Sequence, residues 1–240
     1  MEQSEELSFL AMLDNRHKQM MDFLATYSDL AVVIDSILLT ANALAVESTR
    51  EHGSKSMTRT FVGLMWQTAA DYHKQSVVHI LSRELDAGFA LVRMAIELAR
   101  DAYVIGDDRS RCDLWLGREG RAKEYRKTFK FDKSNPPGKS AFYLYKLSSR
   151  YGVHGHMTSL MHAKTRGENA VNGKVAIINS DEKAILSGLR IWLRAFFPIH
   201  ALFCDAFQLK KAPVSESFKA FIRLVNSLEP ILDAVDEKAG

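Results

Sequence analysis

Long apolar segments run almost without interruption from Leu7 to Val235, and only 13 glycines and 5 prolines are available to punctuate the 240 residues. That scarcity of turn formers excludes a fold of many short strands, which needs a turn signal roughly every 8–12 residues. It suits long helices that bury one apolar stripe against their neighbours. Composition agrees: 47% apolar and 25% charged residues are the values of a globular domain, outside the collagen-like, disulfide-stapled and disordered classes. The expected fold is all-α, a single-domain helical bundle of seven or eight helices over residues 1–240. Residues 1–105 and 140–240 would form the core bundle, and 106–139 a basic helical insertion.

Periodicity and caps divide the chain further. Leu7, Leu10, Leu13, Met20, Met21 and Leu24 mark a first helix over about 4–26, and Ser28-Asp29 can cap a second that ends before Gly53-Ser54. The third, capped by Ser56 or Thr58, reaches about Arg83; the fourth runs from Asp86 to Ile105, and the two should form an antiparallel hairpin. Leu114 to Phe129 reads as one basic helix, and Asn135-Pro136-Pro137-Gly138 as a loop, which makes the insertion the expected mobile part. Helix is expected again over Ala141–Ser149, Asp181–Gln208 with a kink at Pro198, and Ser215–Val235; Lys174–Asn179 alone resembles a short strand.

Several chemistries lack the residues they need. Cys112 and Cys204 form no C-x-x-C pair, so neither a zinc site nor a disulfide framework is expected, and a reducing compartment is. His73 and His79 lie six apart, off the spacing that puts two ligands on one helical face, and Glu-x-x-His pairs are absent, so no metal is expected. Phosphate-cradling glycine motifs and the G-x-S-x-G elbow are missing too, and no cofactor is expected. The acidic start, with Glu2, Glu5 and Glu6, is unlike an export signal, and a cytoplasmic location is expected. The longest apolar run, Leu30 to Val46, contains Asp35, Ser36, Thr40 and Asn42, and reads as a buried core helix; no membrane association is expected.

Net charge is +3 but unevenly distributed: −7 over residues 1–108, +10 over 109–174 and zero over 175–240. The middle segment, with Arg118, Arg121 and Arg126 among its cations, could attract a polyanion such as RNA; the plain alternative is a solvated helix face and a basic loop. Within it, Arg150, His154 and His156 gather at a glycine-rich helix break. Metal-independent RNA cleavage needs a base for the ribose 2′-OH, a proton donor for the leaving 5′-oxygen and a cation for the charged phosphorane, and imidazole with guanidinium meets these needs near neutral pH. A second feature is Arg93 and Glu97, one turn apart in an otherwise apolar helix, where both charges must be partly buried and partnered. Losing a buried Arg93 would cost about 3 kcal/mol. The pair could equally reach His154 and fix its tautomer.

Two blocks carry a family resemblance: Tyr72 to Glu97, with its Arg93-x-x-x-Glu97, and Tyr145-Lys-Leu-Ser-Ser-Arg150-Tyr-Gly-Val-His154-Gly-His156. The chain resembles bacterial all-helical proteins related to the HEPN superfamily, whose hairpin carries Arg-x-x-x-Glu and whose later helix ends in an "LS, aromatic, then His-Gly" pattern. That pattern points to His154. The HEPN spacing of an arginine, four to six residues and a histidine points instead to His156, five residues beyond Arg150. The resemblance implies a homodimer with the Arg-His segments facing each other, a role in toxin, defence or stress systems, and in some cases a cognate antitoxin-like partner. The favoured expectation is an RNA-associated protein acting as a metal-independent endoribonuclease, with His154 or His156 as acid/base and Arg150 as phosphate-steadying cation. The rival is a non-catalytic interaction or small-ligand module built on a buried Arg93, Glu97 and His154 network.

Overall fold

The computed structural model describes residues 9–152, 182–209 and 223. Among these residues there are eight α-helices and no strand: α1 Phe9–Thr26, α2 Ser28–His52, α3 Met57–Leu81, α4 Leu85–Ile105, α5 Arg109–Leu116, α6 Ala122–Thr128, α7 Pro136–Gly152 and α8 Glu182–Ala206, with a single 3₁₀ turn at Gly53–Lys55. The all-α bundle is therefore as the apolar pattern demanded. The strand expected at Lys174–Asn179 and the helix expected over Ser215–Val235 fall outside the described residues, apart from residue 223. Three boundaries differ from expectation. Ser28 and Asp29 do not cap α2: both lie in its first turn, and Tyr27 takes the cap position with no side-chain hydrogen bond. The basic helix is split into α5 and α6 by a turn containing Gly117 and Gly120. And α7 starts at Pro136, inside the expected loop, because proline is tolerated in a first turn whose N–H groups have no helical partner. Gly138 allows that start: a Cβ there would collide with the Asp132 carbonyl oxygen.

The α3–α4 hairpin is the scaffold. Ser56 caps α3 by accepting a hydrogen bond from the Arg59 amide at 3.1 Å. The helix ends in a Schellman turn: the Glu84 amide donates to the His79 carbonyl, the Arg83 amide donates to that of Ile80, and Arg83 takes the left-handed φ of 64° that this turn requires. The two helices then approach closely at Gly88, where a Cβ would stand 2.7 Å from Ile80 Cγ1 and 3.0 Å from the Ser76 carbonyl oxygen. Helix α4 is central, packing on α3, α7 and α8. Pro198 lies within α8, which continues through it.

Between α3 and α8 the core is an aromatic ladder. Trp66, His73 and Ile80, seven residues apart on α3, meet His200 and Phe203, Trp192 and Phe196, and Gly188 in turn, so the two helices run antiparallel. Both histidines are fully buried. The Trp66 indole N–H donates to His200 Nδ1 at 2.9 Å, which puts the His200 proton on Nε2. The Trp192 indole donates to the His73 carbonyl, and His73 Nε2 donates to the Trp192 carbonyl, each at 2.9 Å. His73 Nδ1 is thus an unprotonated nitrogen, buried with no hydrogen-bond partner among the described residues.

Helix α2 is only partly the core helix that its composition suggested. Leu30, Ile34, Ile37, Ala41, Leu44 and Ala45 are buried, while Val32, Leu39 and Val46 on the opposite side are exposed. By length and composition, Ser28–Glu51 and Ile185–Ala206 could each cross a membrane; 72% of the second window is buried inside the protein, against 33% of the first.

Burial pushes both ladder histidines down from 6.5 to about 3, the His200 imidazole being held down further by neighbouring His73. Below pH 6.5 the unfolded chain takes up protons that the native core refuses, so stability falls as pH drops from about 6.5 toward 3. Each imidazole adds up to about 1.4 kcal/mol per pH unit to that slope. Urea unfolding between pH 7.5 and 4.5 checks this. His200→Asn, whose side-chain oxygen can still accept from Trp66, should flatten the slope even if it lowers stability at pH 7.5; an unchanged slope would show that His200 does not titrate this way.

Candidate nucleic-acid interface

Beyond Asp86 in its first turn, α4 carries its charges on one edge: Arg93, Glu97, Arg100 and Asp101, at i, i+4, i+7 and i+8. Arg93 Nε and Nη2 donate to Glu97 Oε1 at 3.3 and 3.2 Å, and the guanidinium lies over the Tyr145 ring of α7, 5.2 Å from its centroid. The pair is satisfied within the bundle, as its setting required, yet its side chains remain 25% and 32% exposed. It sits at the α4–α7 seam, so the deep burial that a 3 kcal/mol loss presumed is not found.

The deeply buried charge is one turn further on. The Asp101 carboxylate accepts from Arg100 Nε at 2.8 Å, the Trp115 indole at 2.8 Å and the Tyr125 hydroxyl at 2.7 Å, and Arg100 Nη2 also donates to the Tyr125 oxygen at 2.9 Å. Burial raises the Asp101 carboxyl above its ordinary range, against the pull of Arg100, Tyr125 and Trp115 in the other direction. The Tyr125 phenol is pushed far above its ordinary value, first by burial and then by Asp101. This network pins the basic insertion to α4. Cys112, Leu114 and Phe129 of that segment are buried in the main core, so it is a docked part of the bundle and differs from the loose appendage that its polar turns suggested.

Two of the three arginines proposed for RNA are engaged locally within the insertion. Arg118 lies 3.7 Å over the Trp115 ring and donates to the Trp115 carbonyl at 3.1 Å. Arg121 makes a forked ion pair with Glu124, with its closest approach at 2.7 Å. Arg126 is exposed in the last turn of α6.

A basic face of a different kind lies on α7. Ala141, Leu144 and Ser148 are buried, which turns Lys139, Tyr143, Lys146 and Arg150 to the outside; all four are exposed, and Tyr143 keeps 64% of its surface. No acidic residue occurs anywhere in α7. Lys133, from the loop before it, places its ammonium 3.9 Å from the centroid of Phe142, whose ring Lys146 also approaches at 5.1 Å. Phe142 packs on Phe131, which in turn meets Tyr145, so the aromatic side chains continue inward to Arg93 and Arg100. The stripe from Lys139 to Arg150 spans about 16 Å along the helix. Cations beside aromatic rings are the chemistry that holds phosphates and stacks bases of a single strand.

Of the residues read as catalytic, Arg150 is exposed in the last turn of α7, while His154 and His156 lie outside the described residues. Glu97 is turned toward Arg93. Sequence reasoning passed over Asp101 and His200, although a charged residue in a helix this apolar and a histidine inside Phe-Phe-Pro-Ile-His-Ala-Leu-Phe were visible signals. It also passed over the α7 stripe, because the middle segment was read for total charge and not for helical phase. Among the described residues no three His, Cys, Asp or Glu side chains converge as a metal site would need. Comparison with family models, with curated proteins and with solved structures returns no match.

The two polar clusters should differ in worth. Asp101→Ala leaves a buried guanidinium without its counter-ion and two donors without an acceptor, a loss of about 3 kcal/mol. Arg93→Ala removes a part-exposed pair and one ring contact, about 1 kcal/mol. Urea midpoints of the two variants check the order, and equal losses would contradict it.

Proposed function

We propose that this protein binds single-stranded RNA along α7, and that it belongs among metal-independent endoribonucleases of the HEPN type. The observation that carries the binding is the acid-free outer face of α7, where Lys139, Lys146 and Arg150 flank exposed Tyr143 and Lys133 joins them over Phe142. Phosphates would lie along the cations and bases against the rings. Arg126 extends the basic surface, whereas Arg118 is engaged on Trp115 and Arg121 with Glu124. For cleavage, His154 or His156, four and six residues beyond Arg150, would take the 2′-OH proton or protonate the leaving 5′-oxygen, and Arg150 would steady the phosphorane. A cognate antitoxin-like protein would act by covering this face.

Binding of a fluorescent mixed-sequence RNA, titrated from low to moderate salt, tests the reading. Affinity should fall steeply with salt, and each of Lys139→Ala, Lys146→Ala and Arg150→Ala should lower the logarithmic slope by roughly 0.7. Tyr143→Ala should weaken binding without changing the slope. In EDTA, wild type should leave cyclic-phosphate 3′ ends, and Arg150→Ala or the variant at the acting histidine should slow cleavage by roughly 10²- to 10⁴-fold. Binding without cleavage would remove the nuclease half. Absent or salt-insensitive binding would overturn both halves and favour the non-catalytic module, a reading supported by the pairing of Arg93 with Glu97 and its place over the Tyr145 ring.

A further inference from the structure

Two cations of the basic face share one ring. The Lys133 ammonium stands 3.9 Å from the centroid of Phe142 and the Lys146 ammonium 5.1 Å, so the two are no further apart than those distances together. Both side chains are exposed, and neither has an acidic partner among the described residues. Asp132, next in sequence to Lys133, turns its carboxylate to the Ser134 amide and hydroxyl at 3.0 and 2.5 Å and to the Tyr103 hydroxyl at 3.2 Å. We infer that Lys133 and Lys146 form a clamp for a phosphomonoester dianion, the terminal phosphate of an RNA strand or the phosphate of a free nucleotide.

Charge selects that ligand. Two like charges brought to one ring repel each other, and a group carrying about two negative charges near pH 7 neutralises both. An internal phosphodiester carries only one. The ring also steadies the clamp: Phe142 packs on Phe131, which meets Tyr145 and lies under the Arg100 guanidinium, so the platform for both ammonium groups is anchored to α4. Holding two long side chains over a fixed ring lowers the entropy lost when they close on an anion. Exposed Tyr143, the next residue, offers a ring for a base. Arg150 lies two turns beyond Phe142, about 12 Å along α7, so a strand held by its end would present one of its first internucleotide phosphates to that arginine. The strand-end form of the inference rests on the RNA reading; the clamp itself does not.

The test is titration calorimetry of the full chain at low salt. The probes are adenosine 5′-monophosphate and one short 2′-O-methyl RNA strand, which offers no 2′-OH for cleavage, made with hydroxyl ends, with a 5′-phosphate or with a 3′-phosphate. A phosphorylated end should tighten binding about fivefold, the gain of one well-placed exposed ion pair. That gain should vanish in Lys133→Gln and in Lys146→Gln, and persist in Lys74→Gln, an exposed position on α3. Phe142→Leu, which keeps both charges and removes their platform, should reduce it. The gain should also fade between pH 7.5 and 5, where the monoester loses its second charge with a pKa of about 6. Asp132, held below the usual carboxylate range by Ser134, stays ionised across that interval. Nucleotide binding as tight as that of the phosphorylated strands would make a free nucleotide the ligand, and weaker binding would make it the strand end. Equal affinity for all three strands would overturn the clamp and leave the RNA reading standing. If no strand binds while the nucleotide does, and Lys133→Gln abolishes it, the RNA reading fails and the clamp stands. Binding of none of the probes would overturn both.

Discussion

Ile80 is where the bundle is tied together. Gly88 of α4 and Gly188 of α8 both come against its side chain, with room at neither position for a Cβ without displacement. Three helices can cross at that point only because two of them present bare backbone there. The close approach fixes how α4 lies on α3 and α8, and hence which edge of α4 is left to face α7 and the insertion. Every feature of functional interest hangs on that orientation.

The leftover edge of α4 is polar, and the molecule treats its charges in two ways. Asp101 is taken out of water and compensated by three donors, two of which come from the insertion; a buried carboxylate is tolerable only when its lone pairs are filled. Arg93 and Glu97 stay partly in solvent at the α4–α7 seam. The insertion is attached to α4 through Trp115 and Tyr125, while Arg118 and Arg121 pair within it and Arg126 remains on the surface. The aromatic residues Phe131, Phe142 and Tyr145 link the two regions and support the basic face of α7 from below.

The histidine ladder shows the same economy in the opposite corner. His73 and His200 are accommodated neutral, through indole and carbonyl partners, in a place where a charged imidazole could not survive. They act as shaped, hydrogen-bonding aromatics and not as acid/base groups. A histidine in this chain is therefore no guide to chemistry by itself; its surroundings decide.

The sequence by itself determined the helices and most of their ends. Few glycines and prolines, apolar residues at helical period and a serine at 56 are local instructions, and local instructions act through backbone dihedrals and nearest-neighbour hydrogen bonds. It also determined that Arg93 would have a partner, since Glu97 stands one turn away on the same helix. Tertiary structure alone decided the rest. Whether α7 could begin at Pro136, whether Trp115 and Tyr125 of the insertion would dock on Asp101, and which face of α2 or α7 would be left to solvent all depend on contacts between residues far apart in the chain. Burial is a property of the packed assembly of helices, and one strip of sequence carries the phase of a helix without saying which side its neighbours will cover.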